Sequence, residues 1–448
     1  MKQSIMEPKD NTTEKDSAMM ESALSELGHV SEGDASPVEN PARRFFFQQV
    51  GLVSCGFAAE AIMSKVFGVA HASDLVPTYS TVRGTPEIKD YSNIPQRTHK
   101  YPASNRAKEI VHSSMTMETL FSGIWPDQWS SPEAPEFHDE MDRLIVAGIK
   151  VIAACPSADS LDSSVAGIMR SLMFYLNKIY ERPDKYKIVR TTKDIDEAIE
   201  EKKLGIFFTH QGTALFNGDI DMVGVWRQMG YGYCLLAYNQ RNAVGDGCFE
   251  EANGPLTAYG KKLIDSYNRY GMIVDVSHTG ERTSLDAIER SRQPVVSSHS
   301  VAKAIADYQR SHSDAVIKAI AQSGGVCSIN AVGAFVDLSN PDIVTTDILF
   351  RHIDYIVNLV GIDHVGFGTD YVPNTNISAT LIQTPEGQEI FPDGGYSAAM
   401  GAKGVPTPAP YQIVAALVDK MLENGYSEVD CGKFLGGNMY RVMQEVWT

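Results

Sequence analysis

The chain has 448 residues and a formal net charge of −17, with 43% hydrophobic and 21% charged residues. This acidic balance argues against nucleic acid or an anionic membrane surface as the main partner. The composition allows a large buried core, and the length fits two ordinary domains or one large barrel.

The first segment, residues 1–42, is acidic and rich in Ser, Glu and Asp, with no apolar periodicity. Such a segment cannot bury enough apolar surface to offset the entropy of ordering, so it is predicted to be disordered. Arg43 and Arg44 then open a modestly apolar stretch, residues 43–72, that ends at a small-x-small cleavage pattern. This pattern predicts a twin-arginine export signal and a periplasmic protein.

Two alternatives remain open for the same stretch. It contains Glu60 and Lys65, which makes it a poor membrane span and leaves an amphipathic helix of the folded domain as one alternative. The other is lipid anchoring at Cys55, because residues 52–55 match a lipoprotein cleavage box.

Residues 73–108 form a proline-rich, irregular lead-in, and from 109 to 448 apolar runs of strand length alternate with helical patterns. The predicted strands are 110–116, 150–155, 186–190, 204–210, 233–238, 271–278, 293–299, 325–330 and 364–370. The predicted helices are 140–148, 161–182, 192–202, 220–229, 279–291, 302–323, 347–361, 410–424 and 427–447. This alternation predicts a (β/α)₈ TIM barrel, with an open doubly wound sheet as the alternative. Residues 373–409 interrupt the pattern and are interpreted as an insertion over the barrel mouth.

Two histidines stand at the ends of consecutive predicted strands, His278 after 271–277 and His299 after 293–298. One helix between parallel strands would bring both imidazoles to the same edge of the sheet, where barrels of this type place their function. Neutral imidazole is the commonest protein metal ligand, so the pair indicates a metal site. Two structural histidines that cap their strands are the alternative.

Other strand ends carry polar residues that would converge with this pair: Ser114, Thr116, His210, Gln211, Tyr238, Asn239, Asn330 and Asp370. Asp370 is a candidate general base or ligand, and an N-cap for the following turn is its alternative role.

Several segments together resemble the membrane dipeptidase, or renal dipeptidase, family of metallopeptidases. They are DVSHTGERTSLDAIERSRQPVVSSHS at 275–300, QRSHSD at 309–314, SGGVCSIN at 323–330, VGIDHVGFGTDY at 360–371 and LGGNMYRV at 435–442. The resemblance implies a (β/α)₈ barrel of the metal-dependent hydrolase type, with two zinc ions, that hydrolyses dipeptides at the carboxyl ends of its strands. It also implies that a homodimer is one oligomeric state to expect.

Matched residue by residue, the resemblance implies zinc-binding roles for His278 and His299 and a carboxylate-binding role for Arg310. It places Asp370 beside the substrate amino group and the attacking water. Tyr238 stands where the family often has a histidine facing the scissile carbonyl, and it is expected to contact the substrate and donate to the oxyanion. Asn330 is expected to line the substrate site from its strand end.

The chain also departs from the family pattern. Ser114 and Thr116 were aligned with a His-x-Asp pair that binds the first zinc, and Gln211 with the bridging glutamate. These losses leave two imidazoles and the Gln211 oxygen as ligands, so at most one zinc ion, or none, is expected. His210 would substitute only if it pointed inward, whereas strand alternation puts it and Gln211 on opposite faces.

Two functions follow from this mixture. The first is an exported dipeptidase-like hydrolase that acts on a dipeptide or peptide-like amide through a metal-activated water. The second is a metal-free barrel that binds a peptide or amino-acid derivative without hydrolysing it, for example in maturation of a natural product.

Overall fold

The computed structural model describes residues 99–122, 135–159, 163–371 and 409–447 of the chain, which all belong to one compact unit. The predicted segments at 1–42 and 43–72, the alternative anchor Cys55, most of the lead-in and nearly all of the 373–409 insertion lie outside the described residues.

Strands and helices alternate along the described chain, as the periodicity predicts. The strands are β1 Met117–Phe121, β2 Val151–Ala154, β3 Tyr186–Ile188, β4 Leu204–His210, β5 Tyr231–Leu235, β6 Ile273–Asp275, β7 Val295–Ser300, β8 Cys327–Ile329 and β9 Val365–Phe367. The helices are α1 Asn105–Ser113, α2 Pro135–Val146, α3 Val165–Glu181, α4 Thr192–Glu200, α5 Met222–Gln228, α6 Ala258–Tyr270, α7 Glu281–Arg290, α8 Asp314–Gln322, α9 Gly333–Val336, α10 Thr346–Val360, α11 Ile413–Glu423, α12 Glu428–Gly432 and α13 Asn438–Val446. Short 3₁₀ turns at Ala214–Phe216 and Ile362–His364 and a π turn at Lys433–Gly437 complete the described elements.

The sheet is parallel throughout, in the order β1-β2-β4-β5-β6-β7-β8-β9. Strand β3 lies outside this order and pairs with the first residues of β4. Eight of these strands form a nearly closed (β/α)₈ barrel. Every residue of β4 is buried, as expected for strands that are covered on both faces.

Side chains close the seam between β1 and β9, because no backbone ladder joins these two strands within the described residues. Thr119 on β1 donates its hydroxyl toward the carbonyls of Ser298 (2.7 Å) and Phe367 (2.8 Å). The Glu118 carboxylate accepts from the N–H groups of Leu120 and Thr369 and from the Thr369 hydroxyl. The seam therefore depends on two polar residues of one strand.

The C-terminal helix α13 seals the amino end of the barrel. Trp447, which follows it, donates its indole N–H to the Gly232 carbonyl (3.2 Å) near the start of β5. Its ring lies 5.1 Å from that of Phe207 in a T-shaped contact, and a Cβ on Gly232 would come within 2.3 Å of the indole. This end is a packed apolar core, so the polar chemistry is confined to the carboxyl end.

Two of the secondary-structure predictions are wrong. Residues 110–113 belong to α1, where Ala107, Ile110 and Val111 form the buried face, so the Ile-Val pair reflects a helical stripe and not a strand. The predicted helix at 302–323 begins only at Asp314, because the preceding loop folds back through the hydrogen bonds Lys303 N–H to His312 O and His312 N–H to Val301 O.

Candidate active site

The two predicted histidines meet at the carboxyl end of the barrel. The His278 Nε2 atom lies 3.0 Å from the His299 Nε2 atom, and both residues are buried. His299 is on β7, whereas His278 follows β6 with a left-handed backbone (φ 59°). The structure therefore confirms that two consecutive βα units bring these imidazoles together.

Hydrogen bonds to the other ring nitrogens fix how the imidazoles face each other. The Asn239 Oδ1 atom lies 2.6 Å from His278 Nδ1, and since an amide oxygen only accepts, His278 carries its proton on Nδ1. Its Nε2 lone pair then points at His299. The Ser298 hydroxyl, 2.7 Å from His299 Nδ1, can donate or accept. His299 can thus donate Nε2–H to His278 or turn a second lone pair toward a shared cation.

The surroundings keep both imidazoles neutral. Burial lowers the pKa of His278 well below its usual range, and the nearby Arg310 charge lowers it further. The same two causes, in the same order, lower the pKa of His299. Neutral imidazole is the form that binds a metal, so the electrostatics suit that role.

Asp370 follows β9 at the same end of the barrel as this pair, and its backbone is also left-handed (φ 56°). One carboxylate oxygen accepts from the Ser122 hydroxyl and the other from the Asn330 amide N–H (3.1 Å). Burial raises the pKa of the Asp370 carboxyl, while the Ser122 bond and the Arg310 charge oppose the rise. A raised carboxyl pKa moves this group toward the range of an effective general base.

Arg310 is buried with an incomplete set of partners. Its Nη2 donates to the His299 carbonyl (2.7 Å), and its guanidinium carbon lies 5.8 Å from the Phe335 ring centroid. Its Nε and Nη1 atoms are buried without a hydrogen-bond partner. A buried guanidinium with unpaired donors is costly, and a carboxylate ligand would lower this cost by accepting charge-assisted hydrogen bonds from it.

The remaining predicted residues surround the same site. The Tyr238 ring stacks on the His278 imidazole at 4.4 Å between centroids. Gln211 is buried, and its Oε1 atom has no hydrogen-bond partner. Asn330 holds Asp370 through its amide nitrogen and accepts from the Val332 N–H through its oxygen. In the structure Asn330 thus orients Asp370.

The positions predicted for the first-zinc ligands need correction. The Ser114 N–H bonds to the Ile110 carbonyl and ends α1, and the Thr116 hydroxyl donates to the Val111 carbonyl. Both precede β1 and so lie at the opposite end of the barrel from the site. The carboxyl end of β1 carries Phe121 and Ser122, neither of which is a usual zinc ligand.

His210 does not join the imidazole pair. Its Nδ1 atom lies 3.0 Å from the Ser157 hydroxyl and its Nε2 atom 2.8 Å from an Asp159 carboxylate oxygen. His210 therefore does not supply a further ligand beside His278 and His299.

The separation of the two imidazole nitrogens can be compared with the geometry of a zinc site. Two nitrogens bound at about 2.1 Å to a tetrahedral zinc are about 3.4 Å apart, close to the observed separation of the His278 and His299 Nε2 atoms. Among the described residues, no group of three or more His, Cys, Asp or Glu side chains could hold a metal. The spacing of the two imidazoles is compatible with one shared ion, and no further side chain of these four types joins them among the described residues.

Sequence reasoning assigned no role to Asn239, Ser122 or Ser298, which orient His278, Asp370 and His299. A partial signal existed for Ser122, because a short run with apolar residues at Met117, Leu120 and Phe121 immediately precedes it. Asn239, His278 and Asp370 also account for three of the six non-glycine residues with positive φ in the described parts of the chain. Strained backbone of this kind concentrates at functional sites.

Comparison with known proteins decides the family. The model of the membrane dipeptidase family (peptidase family M19) matches residues 127–381, more than half of the chain. The chain belongs to the membrane dipeptidase family. Dipeptidase tcpJ of Claviceps purpurea is 25% identical over 374 residues, which cover 79% of this chain and 81% of that protein. The family and this relative identify the chain as a dipeptidase-like hydrolase.

Solved structures agree with the architecture. An amidohydrolase from Pseudomonas aeruginosa is 26% identical, with a TM-score of 0.65 over 76% of this chain and 99% of that one. A metallopeptidase from Rhodobacter sphaeroides, solved with a phosphinate mimic of the dipeptide L-Ala-D-Ala, shares the fold at 16% identity and a TM-score of 0.60, over 75% of this chain and all of that one. None of the described helices is long and apolar enough to span a membrane.

Proposed function

We propose that this dipeptidase-family chain hydrolyses a dipeptide, or a similar small amide with a free carboxylate, at the carboxyl end of the barrel. The observation that carries the proposal is Arg310, whose Nε and Nη1 donors are buried without partners. A substrate carboxylate would accept charge-assisted hydrogen bonds from this guanidinium, which are stronger than those that a neutral amide oxygen accepts.

Asp370 is the proton-accepting group in this proposal. Its raised pKa and its fixed position between Ser122 and Asn330 suit it to take a proton from the attacking water and return it to the leaving amine. Tyr238, held against His278, would donate to the oxyanion that develops on the scissile carbonyl.

His278 and His299 would hold one zinc ion, and Gln211 could add its buried, unpartnered amide oxygen. When bound, zinc lowers the pKa of a coordinated water and polarises a carbonyl. The protein contributes the orientation, because Asn239 and Ser298 fix the rings from behind.

The test compares a dipeptide with the same dipeptide amidated at its C-terminus. The wild-type chain is expected to favour the free acid by about 10²-fold in kcat/KM, since charged hydrogen bonds contribute about 1.5–3 kcal/mol each. Arg310→Gln is expected to abolish this preference, while Arg282→Gln, which removes an exposed arginine paired with Asp286, is the matched control. Equal turnover of acid and amide by the wild-type chain would refute the carboxylate role.

A second candidate function is ligand binding without hydrolysis. It is favoured by the absence, among the described residues, of a third metal-binding side chain beside the two imidazoles. In that case calorimetry would show dipeptide binding that depends on Arg310, with no product formed in the presence of zinc. Maturation of a peptide natural product is one setting for such a protein.

We further propose that residues 43–72 direct export to the periplasm, with lipidation at Cys55 as the competing outcome. Replacement of Arg43 and Arg44 by lysine in the full chain should retain the protein in the cytoplasm. Metabolic labelling with palmitate distinguishes a lipid anchor from simple cleavage.

A homodimer is also proposed, and light scattering of the purified chain tests it.

A further inference from the structure

A second cluster of reactive side chains lies at the carboxyl end of the barrel, between β2 and β4. The Ser157 hydroxyl lies 3.0 Å from His210 Nδ1, and His210 Nε2 lies 2.8 Å from Asp159 Oδ1. Ser157 and Asp159 are in the loop after β2, and His210 ends β4. The proposed dipeptide chemistry uses none of these three residues.

The proton positions in this cluster follow from the acceptor at its end. An Asp159 carboxylate oxygen only accepts, so His210 carries its proton on Nε2. The lone pair is then on Nδ1, and the Ser157 hydroxyl donates its proton toward it. A serine donating to an imidazole whose second nitrogen is held by a carboxylate is the arrangement of acyl-transfer enzymes, although the two ring nitrogens are exchanged relative to the common form.

The surrounding backbone is shaped to hold Asp159 there. Its carboxylate also accepts from the N–H groups of Thr213 (2.9 Å) and Ala214 (3.0 Å). Gly212 has φ +129°, and a Cβ at this position would lie 2.1 Å from the Asp159 carboxyl carbon. Only glycine therefore lets the carboxylate reach His210.

Part of the cluster remains accessible to solvent. His210 is fully buried, whereas Ser157 keeps 6% of its surface exposed and the Asp159 side chain 18%. A parallel bridge between Ala158 and Gln211 places the cluster beside Gln211 at the mouth of the barrel.

We propose that Ser157, His210 and Asp159 form a second, metal-independent acyl-transfer site that accepts small carboxylic esters. The Ser157 oxygen forms a bond to the ester carbonyl carbon while its proton moves to His210 Nδ1. Collapse breaks the bond to the leaving alkoxide, which takes that proton from His210 and departs as the alcohol. Water then adds to the acyl-serine with His210 as base, and it releases the acid and restores the serine.

A fluorophosphonate probe tests this site directly, because it reacts with an activated serine and needs neither metal nor dipeptide. We expect one adduct per chain by intact-mass spectrometry, mapped to Ser157 by peptide sequencing, at the same rate with and without a chelator. Asp159→Asn should slow labelling by about 10²-fold or more. Ser157→Ala should abolish it.

The matched control is Ser266→Ala, since the Ser266 hydroxyl is also largely buried and donates to a carbonyl, that of Ile220. This control should label at the wild-type rate. If wild-type chain with a normal thermal transition gives no adduct at Ser157, the three residues only clamp the β2 and β4 loops together and the proposal is wrong. A lower melting temperature of Asp159→Asn without any wild-type labelling would agree with that outcome. Loss of dipeptide turnover does not enter this test, so it is separate from the function proposed above.

Discussion

The two ends of the barrel differ in how completely their buried polar groups are paired. At the amino end, Trp447 and Phe207 pack edge to face, and the indole N–H has a carbonyl partner. At the carboxyl end, the Arg310 donors and the Gln211 oxygen are buried without partners, and the His278 and His299 nitrogens face each other at 3.0 Å. The first end supplies stability, and the second holds polar groups that a bound ligand would satisfy.

The contrast predicts which substitutions affect activity and which affect folding. His278→Ala should have the largest effect, a loss of kcat/KM of about 10³-fold or more, because a metal contributes several kcal/mol to such reactions. Its melting temperature should change little. His352→Ala is the comparison, since His352 is buried away from the site and bonds the Ala302 N–H and the Val336 carbonyl. His352→Ala should lower stability and retain turnover. Loss of turnover in His352→Ala, or loss of stability alone in His278→Ala, would contradict the separation of stability and activity between the two ends.

Trp447→Ala should reduce stability and leave turnover unchanged, which is the opposite of the effect expected for His278→Ala. Removal of the indole opens a cavity at the amino end and loses its contact with Phe207, so unfolding should become easier by about 3–5 kcal/mol. Urea denaturation measures this, and kcat at a temperature where the variant is folded should equal that of the wild type. A large fall in kcat would mean that the two ends are coupled.

Arg310→Met should stabilise the chain by about 1–2 kcal/mol while it removes carboxylate recognition. The substitution deletes two unpartnered buried donors and a buried charge, which outweighs the lost bond to the His299 carbonyl. Thermal unfolding without ligand measures the gain. A destabilised variant would show that the guanidinium has partners in solution and is not held in readiness for a ligand.

Glu118 has an effect on stability that depends on pH. Burial raises its pKa to about 8 in the folded chain, above its ordinary value of 4.5. Its contribution to stability is therefore complete below about pH 4.5 and is lost as the pH rises through 8. Glu118→Gln keeps an oxygen that accepts from the Leu120 and Thr369 N–H groups but cannot become charged. It should therefore gain more than about 1 kcal/mol relative to wild type between pH 5 and pH 9. Parallel stability curves for the two proteins would contradict this.

The sequence predicted the barrel and the histidine pair because both depend on local periodicity. The runs before His278 and His299 have the length and apolarity of buried strands, and the chemistry follows from where strands end. The prediction failed at β1, because Ile110 and Val111 alone do not distinguish a strand from the apolar stripe of a helix. The strand ends predicted that Asn239 lies near the histidine pair, but its hydrogen bond to His278 and the partner of Arg310 escaped prediction. Asn239 lies 39 residues before His278, and only the folded barrel brings their side chains to 2.6 Å.

The most direct test of the account is the zinc content of the untagged chain after incubation with zinc and desalting, measured by elemental mass spectrometry. The imidazole pair predicts about one zinc per chain, lost in both His278→Ala and His299→Ala and retained in His352→Ala. Two zinc ions per chain, or one that survives loss of either histidine, would contradict the single-ion site. No bound zinc in the wild-type chain would contradict it equally and leave the barrel as a metal-free binding protein.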